Sequence, residues 1–250
     1  MDIDDNLIVL VHDAWHGAWA WDGVIAHLEQ REYSAVALDL PGYGTSPAPK
    51  QLTFQDYANA VKEFIASTGA AKVLLVGHGM SGPVLQLVAE QLGQEQQAQI
   101  SGLIFVGAYI LQDGESILEV MPPEMATYFR QMATLNPQNL ISLAEMPEYW
   151  YYNVVNDDQS QAEELLGKMT PAPLAPMEEK IKLTTFFNQH PPAGFISFNE
   201  DLTLPPGDFY PRQANRLGKP KHMPVNAGHE GPVTKPREVA EAILFMANSL

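Results

Sequence analysis

Six short apolar runs punctuate the chain: Leu7–Val11, Ser34–Leu38, Lys72–Val76, Leu103–Val106, Phe195–Phe198 and a weaker Met223–Asn226. Segments with helical periodicity separate them. Strands that alternate with helices in this way pair in parallel, because each crossover returns the chain to the same end of the sheet. The expected class is therefore α/β, a mostly parallel sheet with helices on both faces. Between the second and third runs, "TFQDYANAVKEFIAS" places Phe54, Tyr57, Val61, Phe64 and Ile65 on one helical face, with Thr53 as N-cap. Val84, Leu85, Leu87, Val88 and Leu92 in the following helix, and Val239, Ile243 and Met246 in the last, read as core. A chain of 250 residues that is 46% hydrophobic is long enough for one large core.

The alternation stops between about Gln112 and His190, a stretch rich in Met, Pro and aromatic residues. An insertion of that length between two sheet strands is predicted to be a helical cap over the strands' carboxyl ends, where open α/β sheets bind ligands. The expected division is residues 1–111 and 191–250 as core and 112–190 as cap. Single Met or aromatic residues there read first as packing.

Several classes of function are disfavoured. A formal charge of −16 and a pI near 4.7 repel nucleic acid and anionic membrane surfaces. No cysteine is present, so thiolate catalysis, thiolate metal sites and disulfides are excluded. No metal is expected: His12 and His16 stand four apart but in a loop, and His190 and His222 have no motif around them. Gly42 and Gly44 lack the spacing of a phosphate-binding loop. No cofactor is implied. "MDIDDNLIVLVHDAW" is acidic where a leader is basic, and its apolar run is short, so a cytoplasmic protein with a small-molecule substrate is expected. A homodimer is among the assemblies left open.

Three loops are predicted to meet at the strands' carboxyl ends: "VHDAWHGAWAWDGV", "DLPGYGTSP" and "VGHGMSGP". With "YYNVVNDDQSQAEELLGKMTPAPLAP", "FISFNEDLTLPP" and "VNAGHEGPVTKPREVAEAI", they make the chain resemble the α/β-hydrolase superfamily over nearly its whole length. The likeness is to the branch of plant methylesterases and hydroxynitrile lyases with their bacterial esterase relatives. It implies a helically capped α/β-hydrolase fold. It also implies a triad acid at Asp201, a base at His229, and an oxyanion hole from the backbone N–H groups of Ala14 and Met80.

The departures from that pattern carry the functional question. Where the family reads G-x-S-x-G, this chain reads Gly77-His78-Gly79-Met80-Ser81, which leaves Gly79 at the nucleophile's position. Using Ser81 instead would need Pro83 where a glycine is wanted. Glycine tolerates the strained apex, so the fold should survive while the covalent route does not. Asp13 stands in front of the oxyanion hole, and enclosure is expected to raise its pKa, making it a proton donor or acceptor near neutrality. Glu230 occupies the position of a lysine in the lyases, which argues against cyanohydrin cleavage. His12, His16 and His78 read as loop-fixing groups. The pocket is expected to draw on Trp15, His78, Ser81, Tyr109, Met125, Tyr128, Trp150 and Glu230.

Three functions remain open at this stage. One is non-covalent acid/base chemistry by His229, Asp201 and Asp13 (lyase, dehydratase, isomerase, decarboxylase or water-based hydrolysis) on an activated carbonyl, ester or lactone. The second is a serine esterase inactivated at Gly79, naturally or by construction. The third is a non-catalytic small-molecule binder.

Overall fold

The computed structural model describes residues 6–46, 51–92, 99–203, 209–218 and 220–250. The first five residues, on which the leader expectation partly rests, lie outside this set, as do Pro47 and residues 204–206 of the quoted motifs.

Six strands, β1 (Asn6–Val11), β2 (Ser34–Leu38), β3 (Lys72–His78), β4 (Ile100–Val106), β7 (Ala193–Phe198) and β8 (Lys221–Val225), form one parallel sheet in the order β2-β1-β3-β4-β7-β8. All six predicted runs are strands. β3 continues past its predicted end through Gly77 and His78, because its pairing with β1 and β4 runs to the mouth of the turn. β8 tolerates Pro224 because it lies at the sheet edge, where a missing N–H costs no ladder bond.

The chain moves from β1 to β2 in one direction and from β3 to β4 in the other. Right-handed crossovers then put the intervening helices on opposite faces. α1 (Asp22–Gln30) packs against the last helix, α6 (Pro236–Ala247), while α2 (Phe54–Thr68) packs against α3 (Ser81–Gln91). α2 begins with a reciprocal cap between Thr53 and Asp56 and buries Phe54, Tyr57, Val61 and Ile65, as its periodicity predicts; Phe64 is half-buried. Reversal of strand order between β1 and β3 opens a crevice at their carboxyl ends, the place where such sheets take ligands.

Between β4 and β7 lie α4 (Pro123–Thr134), several shorter helical turns, and an antiparallel pair of two-residue strands, β5 (Leu140–Ile141) and β6 (Ala172–Pro173). The strand pair departs from the all-helical expectation; two residues are too few to show an alternating pattern. α5 (Phe209–Arg216) lies between β7 and β8. Among the described residues, no helix is long and apolar enough to cross a membrane.

Candidate active site

β1 and β3 are hydrogen-bonded neighbours with Val11 opposite Gly77, so the loops that follow them start side by side. Asp13 lies two residues beyond β1. Gly79 forms the turn between β3 and α3 with φ +53°, a left-handed conformation that favours glycine. The Asp13 carboxylate bridges the two loops. Its Oδ1 accepts hydrogen bonds from the backbone N–H of Ala14 at 2.7 Å and of Met80 at 2.5 Å, and its Oδ2 lies 2.9 Å from His229 Nε2. A Cβ built on Gly79 would fall inside that carboxylate, overlapping Cγ and both oxygens. The sequence places Asp13 in front of the two amides; the structure has it bound to both.

The loop holding Asp13 has little freedom. Leu40 N–H donates to His12 Nε2 at 3.0 Å, which leaves Nδ1 to donate to the Asp13 carbonyl at 2.7 Å. Burial lowers the His12 pKa to about 4, keeping the ring neutral for that pattern. Ser81 Oγ donates to the His12 carbonyl. Trp15 adopts φ +65°, a strained value for a bulky residue, and its indole N–H donates to the Ile141 carbonyl at 2.8 Å. Thr170 N–H then donates to the Trp15 carbonyl at 2.7 Å.

On the opposite side, His229 Nδ1 lies 2.8 Å from Asp201 Oδ2. Asp201 is itself fixed: Thr203 donates to Oδ1 through its backbone N–H at 2.7 Å and its hydroxyl at 2.6 Å, and the Tyr210 hydroxyl donates to Oδ2. His229 is thus an imidazole between two carboxylates. Burial works to lower its pKa, but the charge of Asp201 and the hydrogen bonds to Asp13 and Asp201 outweigh this and raise it well above the usual imidazole value.

The Asp13 pKa moves opposite to the sequence expectation. Burial acts to raise it, yet the hydrogen bond from His229 and the neighbouring imidazoles hold it well below the carboxylate range. The resting site is a carboxylate–imidazolium–carboxylate row. The raised pKa favours the protonated form of His229.

A second buried pair stands alongside. His16 Nε2 lies 2.8 Å from Glu230 Oε2, and its Nδ1 lies 2.7 Å from the Ala14 carbonyl, so both ring nitrogens face acceptors. The two side chains are 2% and 1% exposed. Burial opposes both charges, but each raises or lowers the other's pKa toward the ionised form. Glu230 is therefore not a solvent-facing loop acid.

A cavity of about 600 Å³, mouth included, opens onto Asp13 and His229. Of the expected lining residues, Trp15, Tyr109, Met125 and Glu230 face it. Four do not. His78 packs behind His229, with ring centroids 4.9 Å apart, and Ser81 is turned toward His12. Trp150 is fully buried with its indole N–H on the Ala162 carbonyl, and Tyr128 lies on the surface. Sequence reasoning missed Tyr149, Phe129 and Thr203 as lining residues. Thr203 carried a usable signal, since a Thr two residues after an Asp commonly closes a local turn on it.

Asp13, His78 and His229 bring one ligand-type atom each within 4.8 Å of the others, a grouping from three distant segments that sequence spacing does not reveal. In the resting row His229 has no free nitrogen lone pair, so a metal would have to displace its proton.

The profile described as "Alpha/beta hydrolase family" matches residues 8–242. Putative methylesterase 12, chloroplastic, of Arabidopsis thaliana is 29% identical over 210 residues, covering 79% of this chain. The match spans only 59% of that relative's own length. Polyneuridine aldehyde esterase of Rauvolfia serpentina is 26% identical over 256 residues, covering 96% of this chain and 95% of that protein. Among solved structures, an extracellular alpha/beta-hydrolase from a Paenibacillus species superposes with TM-score 0.88 at 24% identity, covering 96% of this chain and 98% of that one.

Proposed function

This chain belongs to the alpha/beta hydrolase family, with esterases among its relatives, and from that premise we propose that it is an enzyme working without a serine nucleophile: a proton-transfer catalyst of elimination or isomerisation beside a substrate carbonyl. One observation carries this reading. The Asp13 carboxylate takes both amides of the expected oxyanion hole, reaches His229, and fills the space a side chain at residue 79 would need. Both parts of the serine route, nucleophile and vacant hole, are thereby replaced by a carboxylate–imidazolium pair.

The proton inventory follows from the charge states. Asp13 is ionised and able to accept, and His229 is protonated and able to donate. For a β-hydroxy ketone, Asp13 Oδ2 takes the α-proton, the C–H electron pair forms the new C=C bond, and His229 Nε2–H protonates the departing hydroxyl as water. Asp13 is then protonated and His229 neutral. One proton transfer across their 2.9 Å contact restores the resting pair. General acid/base groups supply about two to four decades of rate, so the breaking C–H bond must be activated by the carbonyl. A carboxylate of low basicity suffices for α-protons when the enolate oxygen is held by hydrogen-bond donors.

Substrate charge is constrained too. The row carries two carboxylates against one imidazolium, and the His16–Glu230 pair adds no net charge, so a neutral substrate is favoured. The surrounding Met, Phe, Trp and Tyr side chains suit an apolar body.

The deciding experiment follows dehydration of 4-hydroxy-4-phenyl-2-butanone by enone absorbance, and α-proton exchange in ²H₂O by NMR, for the parent, Asp13→Asn and His229→Ala. Loss of both signals in both variants is expected. Unchanged exchange in Asp13→Asn would sink the proposal. The inactivated-esterase reading draws support from the esterase relatives, and it requires instead that the unaltered protein show neither activity.

A further inference from the structure

If the Ala14 and Met80 amides are spent on Asp13, a substrate oxygen must find its donors elsewhere. The side-chain donors around the cavity are nearly all committed. Trp15 donates to Ile141, both His16 nitrogens face acceptors, His229 lies between Asp13 and Asp201, and the Thr203 hydroxyl is on Asp201. Two donors remain. The phenols of Tyr109 and Tyr149 line the same cavity as Asp13 and His229, and neither has a hydrogen-bond partner among the described residues.

We infer that Tyr109 and Tyr149 form the oxygen-binding site of this pocket, donating their two O–H groups to the carbonyl of a neutral ketone or aldehyde and to the enolate derived from it. The inference rests on the proton-transfer reading above and supplies the donors that reading requires.

Both rings are held in place. Tyr109 follows β4, its backbone N–H donates to the Gly79 carbonyl at 3.1 Å, and its ring meets Phe209 edge-on at 5.6 Å. That backbone bond ties the phenol to the same turn that supplies the Met80 amide. Tyr149 ends the helical turn Pro147–Tyr149 and meets Phe129 edge-on at 6.3 Å. Both belong to the segment between β4 and β7, Tyr109 three residues past the end of β4 and Tyr149 forty residues further on, and both line the one cavity. Burial, then the neighbouring Tyr149 phenol and the charges of Asp13 and Asp201, raises the pKa of Tyr109; burial, then Asp201, Asp13 and Glu230, raises that of Tyr149. Both stay protonated, as donors must. A phenol facing a ligand cavity without a partner is an unmet hydrogen bond, and a bound carbonyl satisfies two of them at once.

The test uses 2-nonanone labelled with ¹³C at its carbonyl, with nonane as an isosteric control, bound to the parent, Tyr109→Phe, Tyr149→Phe and the double variant. Infrared difference spectra read the C=O stretch directly. The bound ketone is expected to show a stretch below that of the ketone in hydrocarbon, partly reversed by each substitution and fully by both. Each single substitution should weaken ketone binding about three- to tenfold while leaving nonane binding unchanged. Unchanged nonane binding also certifies that the variants fold. A shift that survives in the double variant, or ketone binding that the double substitution leaves unchanged, overturns the inference. Failure here is separable from failure of the proton-transfer reading: Asp13→Asn should lose α-proton exchange while keeping the infrared shift.

Discussion

The carboxylate of Asp13 occupies the volume above Gly79 that any side chain at that position would enter. Two residues 66 positions apart in sequence, from 13 to 79, therefore compete for one space. Gly79→Ser alone should yield a folded protein without esterase activity. Adding Asp13→Gly empties both the space and the amide pair, and the double variant should hydrolyse 4-nitrophenyl acetate and be labelled by a serine-directed phosphonate. Labelling of the Gly79→Ser single variant at its introduced hydroxyl would show that Asp13 yields the space freely.

Asp13→Asn keeps the shape but reverses the contact with His229. An amide N–H then faces the imidazole where a carboxylate stood, so the protonated ring loses one of its two anionic partners. The His229 pKa should fall by about one to three units, read from histidine ¹³C shifts during titration. Activity attributed to the pair should fall about 10²- to 10⁴-fold.

The pH profile should be flat where an ordinary histidine titrates. His229 has a raised pKa, so its proton is held below and through the usual imidazole value and lost only as pH climbs to its own higher pKa. Asp13 has a depressed pKa, so its charge is present above the usual carboxylate value and lost only as pH falls through its lower one. The rate should therefore show no inflection between about pH 5 and 8, measured as kcat/KM. An inflection near pH 6.5 would assign the rate to a His229 that rests neutral.

His16 and Glu230 stabilise each other only as a pair. Glu230→Leu leaves His16 buried beside the Ala14 carbonyl without its counter-charge and should lower stability by about 3–5 kcal/mol in urea titration. The double replacement His16→Phe with Glu230→Leu should recover most of that loss, because no unpaired charge remains. Equal destabilisation by single and double variants would mean the site needs the shapes of these side chains rather than their charges.

Much of this was legible in the sequence. The strand and helix pattern needed only periodicity, and the Asp201–His229 contact, at 2.8 Å, joins two residues that the family resemblance implied as acid and base. The destination of Asp13 was not legible. Its ionisation depends on an imidazole 216 residues away, and enclosure alone gave the wrong sign for its pKa. The pocket walls were read by composition, which picked out Met125 but could not separate Tyr149, facing the cavity, from Tyr128, facing solvent. Tyr128 lies on the exposed side of the twelve-residue helix α4, whereas Tyr149 ends a separate three-residue turn, too short to leave a periodic trace.

Asp13 also behaves as a product that never leaves. In an ester-cleaving pocket, the released acid would rest with one oxygen on the two amides and the other against the histidine, and this chain carries such an acid tethered to its own backbone. Free carboxylic acids consequently have no berth here. Acetate or benzoate, which slow an enzyme with an open berth by lingering in it, meet an anion already seated. At the two amides and against His229, the place such an end product would take is already filled by Asp13.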